Sequence, residues 1–371
     1  MYVAGALSGT SADGIDVAVV EITEGDRLRW VGGQTVSYAL PVRGQILALC
    51  AGAALPLAEL YELDDAIAEA FAAAIADTLT KLKIQPDLVA SHGQTVFHRP
   101  PAGEHLGRSV QLGWGGAIAQ RLGLPVVANF RAADVALGGH GAPLVPMVDW
   151  LLLRHETCDR CVQNLGGIAN VAYLPAGGDT TTVIGFDNGP GNVLLDLAAE
   201  VLFGKPFDPE GRLASRGAPN SSLVEAWLQH EFFRRQPPKS TGRELFDRKY
   251  LDRCIVKCRE RNLSNFDVLA TLTEFTARAI ADSYRQFLPR YPQEVWLGGG
   301  GCHNRYLMER LAHTLAPATV HTTAEQGIDP DHKEAIAFAV LGYLRWHNRP
   351  GNLPSVTGAK RAVPLGDVFL P

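Results

Sequence analysis

A chain of 371 residues exceeds what one simple hydrophobic core organises, so two domains are expected. With 46% hydrophobic and 20% charged residues it reads as globular, and a net charge of −5 excludes a basic nucleic-acid surface or an electrostatic grip on anionic membrane. No apolar run approaches the roughly 20 residues that span a bilayer. Six cysteines make no disulfide scaffold at this length. Cys158, Cys161, Cys254 and Cys258 could mimic a four-thiolate zinc site, but the second pair has helical spacing, so reduced structural thiols are expected. Met1 leads directly into apolar Val3–Leu7 with no leader-like stretch, so a cytoplasmic location is expected.

Val3–Leu7 and Ile15–Ile22 read as two strands around the turn Ser8-Gly9-Thr10-Ser11-Ala12-Asp13-Gly14. Glycines there let backbone N–H groups approach an anion, the hydroxyls add donors, and Asp13 and Asp16 could hold a cation beside phosphate. A plain hairpin with a polar loop is the competing reading. Residues 34–41 suggest a third strand. Apolar positions at three- and four-residue steps predict a helix over Leu57–Leu82, ended by Pro86. Asp87–Ala90 reads as a short buried strand emptying into the polar stretch Ser91–His98. There His92, Gln94 and Thr95 form a candidate sugar-hydroxyl site, since ligands gather at strand ends of open α/β sheets. A helical turn at Ala117–Leu122 and a strand at Pro125–Ala128 follow. Beyond them stand Asn129, Arg131 and Asp134, either an ion pair or a two-pronged carboxylate receptor. The Gly138–Pro143 cluster suggests an interdomain crossing.

Cys161–Leu165, the turn Gly166–Asn170 and Val171–Leu174 repeat the opening strand–turn–strand unit. Two such hairpins, one per domain, could face each other across a cleft and hold a triphosphate. Val183–Phe186 is a strand ending in Asp187-Asn-Gly-Pro-Gly-Asn192. These residues all favour turns, but their density after a buried strand points to Asp187 as a catalytic carboxylate. A helix is expected from near Asn192. Lys239, Ser240, Thr241 and Arg243 form an anion-contacting set or an ordinary exposed loop. After a helix over 268–288, the strand Glu294–Leu297 ends in Gly298-Gly299-Gly300-Gly301. Those glycines, with Asn304, are a candidate adenosine seat. Thr319–His321 is extended, and Lys333–Trp346 reads as a helix with Glu334 in its first turn. The breaker-rich tail from Leu353 is expected to pack on the first domain.

The ordered set Gly9-Thr-Ser-Ala-Asp-Gly-Ile-Asp16, Asn164-Leu-Gly-Gly-Ile-Ala-Asn170, Asp187-Asn-Gly-Pro-Gly-Asn192, Pro238-Lys-Ser-Thr-Gly-Arg-Glu244 and Glu334-Ala-Ile-Ala-Phe338 closely resembles the anhydro-N-acetylmuramic acid kinases. Val110–Gly113 and Gly141–Pro146 fit as well. The resemblance implies an α/β, two-domain actin-like ATPase fold of the ribonuclease H-like kind. Each domain would carry a mixed five-stranded sheet flanked by helices, with a cleft between. Residues 1–134 with 347–371 would form domain I and 135–346 domain II. The resemblance further implies ATP, Mg²⁺, a homodimer, and a cell-wall anhydro sugar as substrate in peptidoglycan recycling.

Carried over residue by residue, Asp187 and Glu334 are catalytic. Gly9, Thr10, Ser11, Asp13, Gly14, Asp16, Gly166, Gly167, Asn170, Gly299, Gly300, Gly301 and Asn304 bind ATP. His92, Gln94, Thr95, Asn129, Arg131, Asp134 and Gly189 bind the sugar, and Asp13 and Asp16 serve the metal directly or through water. Asn129, Asn188, His140 and Trp114-Gly115 depart from the family pattern. Asp187 would take a proton from the water that opens the 1,6 bridge, Glu334 would orient water or sugar, and O6 would accept the γ-phosphoryl. A conventional sugar kinase acting on a free hydroxyl, and a non-catalytic nucleotide-gated binding or filament protein, remain alternatives. No GxxxxGK[ST] occurs, which disfavours a Walker-type NTPase.

Overall fold

In the computed structural model, residues 1–371 are described except Thr10, Glu104 and Arg243. Thr10 and Arg243, both expected anion contacts, thus lie outside the described residues. Packing divides the chain into two units, Met1–Leu152 with Gly327–Pro371, and Leu153–Gln326.

In the first unit, with strands numbered along the chain, β1 (Tyr2–Ser8), β2 (Ile15–Thr23) and β3 (Arg27–Val36) form an antiparallel meander. β4 (Leu88–Arg99) runs parallel to β1, and β6 (Val126–Ala128) parallel to β4. β5 (Arg108–Leu112) pairs with β4, and the tail strand β12 (Asp367–Phe369) pairs with β6. Strand alternation sorts the two faces. Ala4, Ala6, Val17 and Val19 share a core with Leu63, Ile67, Phe71 and Ile75 of the Leu57–Leu82 helix. The Lys333–Trp346 helix packs on β1, β2 and β4. At Gly5 it comes so close that an added Cβ would lie 2.0 Å from the carbonyl oxygen of Ala335. Only glycine permits that approach.

The second unit repeats the plan. β7 (Arg160–Leu165), β8 (Ile168–Leu174) and β9 (Ile184–Pro190) form the antiparallel meander. β10 (Glu294–Gly298) and β11 (Thr319–Thr322) extend it in parallel, giving the order β11-β10-β7-β8-β9. The Asn265–Phe287 helix, opened by a Ser264/Asp267 capping box, is buried along most of its length. The repeat suspected from two short motifs is therefore a repeat of whole topology, β3-β2-β1-β4-β6 answering β9-β8-β7-β10-β11.

Several expectations are corrected. The first sheet has seven strands rather than five, because β5 and β12 add to it. The third strand is Arg27–Val36, not 34–41. Pro41 opens the Leu40–Cys50 helix, where its missing N–H costs nothing. β4 does not end at Ala90 but continues through the polar stretch, since residues 94–99 pair with β5. The Gly138–Pro143 cluster lies inside the first unit, and the chain changes units at residues 152–153. Residues 135–152 and 327–346, expected in domain II, pack with the first unit instead.

Candidate active site

In the first unit, the β1–β2 turn carries Gly9, Ser11, Asp13 and Gly14. Arg43 holds it, with Nε donating to Ala12 O at 3.0 Å and Nη2 pairing with the exposed Asp13 carboxylate at 2.7 Å. Gln94 Nε2 donates to Gly9 O at 3.2 Å, so this predicted sugar residue braces the turn. Thr95 Oγ1 accepts from Gln111 at 3.1 Å. Ser8 and Ser91 each bury a hydroxyl that has no partner among the described residues. Asp16 accepts from Thr35 Oγ1 at 2.6 Å, and burial pushes its carboxyl upward.

His92 and Arg131, each expected at the sugar, come together. Arg131 Nε donates to His92 Nε2 at 3.0 Å, while His92 Nδ1 lies 3.0 Å from Gly93 O. This arrangement assigns the ring proton to Nδ1. Burial, then the Arg131 charge, push the imidazole well below its usual value, so it is neutral. Burial lowers Arg131 to about 10, opposed by Glu334 and Asp134, and the guanidinium stays protonated near neutrality. Glu334 accepts no hydrogen bond among the described residues. Burial raises its carboxyl, with the Lys333 and Arg131 charges opposing and those of Asp16 and Asp149 adding. The neighbouring Lys333 forms a buried ion pair with Asp149 at 2.8 Å. Asp149 was not singled out from the sequence, because it lies in an apolar helix with no turn chemistry around it.

Two predicted sugar residues have other occupations. Asp134 is fully buried and accepts from Gly141 N (2.8 Å), Asn352 Nδ2 (2.7 Å) and Thr357 Oγ1 (2.7 Å). It latches the 138–143 loop and the tail. Asn129, exposed at φ 59°, donates to Asp367 Oδ2 at 2.7 Å and ties down β12.

In the second unit, Asp187 lies within β9 rather than beyond its end, opposite Asn170 of β8. Asn170 is therefore a neighbour of the carboxylate. Asp187 N donates to Lys239 O at 3.1 Å, and Thr241 N donates to Asp187 Oδ2 at 2.9 Å. Burial raises this carboxyl to about 6. The Thr241 bond and the Lys239 charge oppose the rise, and Glu244 adds to it. The next side chain, Asn188, points the other way into a buried network with Gln163 (3.0 Å) and Ser283 (2.7 Å). Its departure from the family pattern thus belongs to the core. Gly189 packs against Phe233.

Three glycine-rich segments meet at the β7–β8 turn. Asn192 N and Gly191 N donate to Gly166 O (2.8 Å) and Gly167 O (2.9 Å). A Cβ on Gly191 would fall 2.3 Å from Gly166 O. Gly299 and Gly301 abut Leu165, while Gly300 is open. This is a concave backbone surface with N–H groups and little side-chain bulk, suited to a nucleotide. Asn304 caps the Arg305–Thr314 helix through Leu307 N at 3.0 Å. Lys239 is not a surface anion contact: it is 8% exposed, and its ammonium is enclosed by aromatic rings. No group of three metal-ligating side chains occurs among the described residues, and no helix among them is long and apolar enough to cross a membrane.

Fold and site together define a two-unit α/β protein with a poised carboxylate beside glycine-rich turns. A family model described as anhydro-N-acetylmuramic acid kinase matches residues 1–371. The chain is 50% identical over 377 residues to a protein of that name from Cyanothece sp., covering 99% of each. It is 50% identical over 378 residues to the one from Microcystis aeruginosa, covering 100% of each. It is 51% identical over 379 residues to the one from Trichormus variabilis, covering 99% of this chain and 96% of that one. Likeness to solved structures is weaker. (R)-2-hydroxyglutaryl-CoA dehydratase component A from Acidaminococcus fermentans has a TM-score of 0.49 at 12% identity, covering 92% of this chain and 99% of that chain. The chain belongs to the anhydro-N-acetylmuramic acid kinase family.

Proposed function

We propose that this protein is an ATP-dependent kinase that opens the 1,6-anhydro ring of 1,6-anhydro-N-acetylmuramic acid and phosphorylates O6, yielding N-acetylmuramic acid 6-phosphate and ADP. Family membership over the whole chain supports the substrate and the reaction. The observation that carries the mechanism is Asp187: a largely buried carboxylate raised to about 6, with one oxygen held by Thr241 N and the other unpartnered among the described residues. Such a group is ionised near neutrality yet still basic enough to accept a proton from water.

In this mechanism water attacks C1 while Asp187 takes its proton. The C1–O6 bond breaks, and O6 attacks the γ-phosphorus as the bond to the ADP oxygen cleaves. The phosphoryl group receives the leaving oxygen, so no separate acid is required, unlike an ordinary inverting glycosidase. Glu334 orients water or sugar. Arg131, kept cationic and aimed by neutral His92, suits the sugar's lactyl carboxylate. Backbone at Gly9, Ser11 and Gly14, and at Gly166, Gly167 and Gly299–Gly301, suits the nucleotide. Phosphoryl transfer needs placement and charge neutralisation above all.

Magnesium fits Asp16 better than Asp13: each has one engaged oxygen and one without a partner among the described residues, but the partner of Asp13 is the cationic Arg43, whereas that of Asp16 is the neutral Thr35 hydroxyl. Mg²⁺ characteristically uses one or two carboxylates with phosphates and water, and when bound it would neutralise phosphate charge. The family resemblance also favours a cytoplasmic homodimer. Turnover in ¹⁸O-water tests the reaction. Label at C1 of a product phosphorylated on O6 is expected; phosphorylation of only the already open sugar would replace this function with that of a conventional kinase.

A further inference from the structure

β9 is the edge strand of the second sheet, so no neighbouring strand fixes the outer side of Asp187. The segment 239–241 lies there instead, accepting from Asp187 N at Lys239 O and donating from Thr241 N to the carboxylate. The lysine side chain of that segment is turned inward. Lys239 Nζ stands 4.4 Å from the Phe287 ring centroid, 4.7 Å from Phe232 and 5.8 Å from Phe186, and donates to Phe232 O at 3.3 Å. Three rings and one carbonyl are a fitting enclosure for an ammonium, whose charge is attracted to the ring faces. Phe186 is also the residue next to Asp187, so the ammonium faces one side of the strand through that ring while the backbone of 239–241 meets the Asp187 side.

We infer that Lys239 is a positioning residue for the reaction: its caged ammonium clamps the 239–241 segment onto β9 and so sets the orientation and basicity of Asp187. The clamp rests on the assignment of Asp187 as the base. Lys239 touches no reacting atom in this role; it acts through Thr241 N and through its charge. The charged groups facing this pair among the described residues are Arg235, following the Glu231–Arg234 helix, which opposes the lysine's charge, and Glu244, which opposes ionisation of Asp187. Burial lowers the lysine to about 8, so it is still cationic at neutral pH.

The test is kcat against pH for Lys239→Met and Lys239→Arg beside Asp187→Asn. Methionine has similar length and suits an aromatic enclosure, but lacks charge. The methionine variant is expected to lose about 10- to 100-fold in kcat, the scale of a small misplacement, with KM for ATP little changed. Its acid limb should move up by about half a unit or more, because a nearby cation no longer favours the carboxylate. Arginine should return the limb toward that of the parent. Parental kcat and limb in the methionine variant would overturn the clamp, and so would a loss of kcat with an unmoved limb, which marks a merely structural side chain. Should neither variant fold, carbon NMR of the parent protein decides: ring-shifted Lys239 ε-methylene signals support the cage, and unshifted ones overturn it. Full turnover in Asp187→Asn would instead overturn the base assignment itself.

Discussion

Asp134 and Asp187 both follow short apolar stretches, both stand near glycine clusters, and both were expected at the substrate. The carboxylate of Asp134 is closed by three donors, Gly141 N, Asn352 Nδ2 and Thr357 Oγ1. Asp187 has a single backbone donor, from Thr241, and keeps an oxygen without a partner among the described residues. A carboxylate saturated with donors is a structural tie, and one left partly unsatisfied in a largely buried place retains an appetite for protons. Residue type and local sequence are the same in kind; the donor count separates them.

The sharpest way to break this contrast is Asp187→Asn. Loss of a general base should cost about 10²–10⁴-fold in kcat, with ATP binding retained by calorimetry. Turnover within a few-fold of the parent would erase the distinction. Stability should move the other way. The folded-state value of Asp187 is raised, so its contribution to stability is present below about pH 4 and is lost as pH rises through about 6. At neutral pH the asparagine variant should therefore be more stable, by up to about 3 kcal/mol in urea denaturation, and a less stable variant would contradict the sign.

Asp134→Ala should do the reverse. With Gly141 N, Asn352 and Thr357 left unsatisfied, it should lose about 3 kcal/mol or more of unfolding free energy. Stability within about 0.5 kcal/mol of the parent would show that the latch carries nothing. A smaller effect is expected on the pH profile. The acid limb of kcat for the parent should lie near pH 6, following Asp187, and should disappear in the residual activity of Asp187→Asn. The smallest effect belongs to Asp13→Asn. Its ion pair with Arg43 is exposed, so no more than about 1 kcal/mol should be lost, and a larger loss would make that pair an integral part of the turn.

Much of the fold was legible in the sequence because periodicity reports burial directly. The Leu57–Leu82 and Lys333–Trp346 helices and both strand–turn–strand units stand where their apolar spacing indicated. Local signals with two meanings were harder. Pro41 reads as a breaker but begins a helix. Gly32 and Gly33 interrupt the alternation of β3 and hid its true span. In the site, the sequence singled out His92, Arg131 and Asp187, but His92 and Asp187, expected at strand ends, lie within β4 and β9 because the strands continue through their polar stretches. The place of Lys239 was not, because its enclosure comes from Phe186, Phe232 and Phe287, which are far apart in sequence. Nor was the latch at Asp134, whose donors Asn352 and Thr357 lie more than two hundred residues away.

The bare backbone contact between Gly5 and Ala335 has one more result. Helix and strand touch there with no compressible side chain between them, so the first turn of the helix has almost no freedom to slide along β1. Glu334, one residue from that contact, inherits its rigidity from a glycine near the other end of the chain. A single methyl group at position 5 would act as a wedge, displacing an acid it never touches.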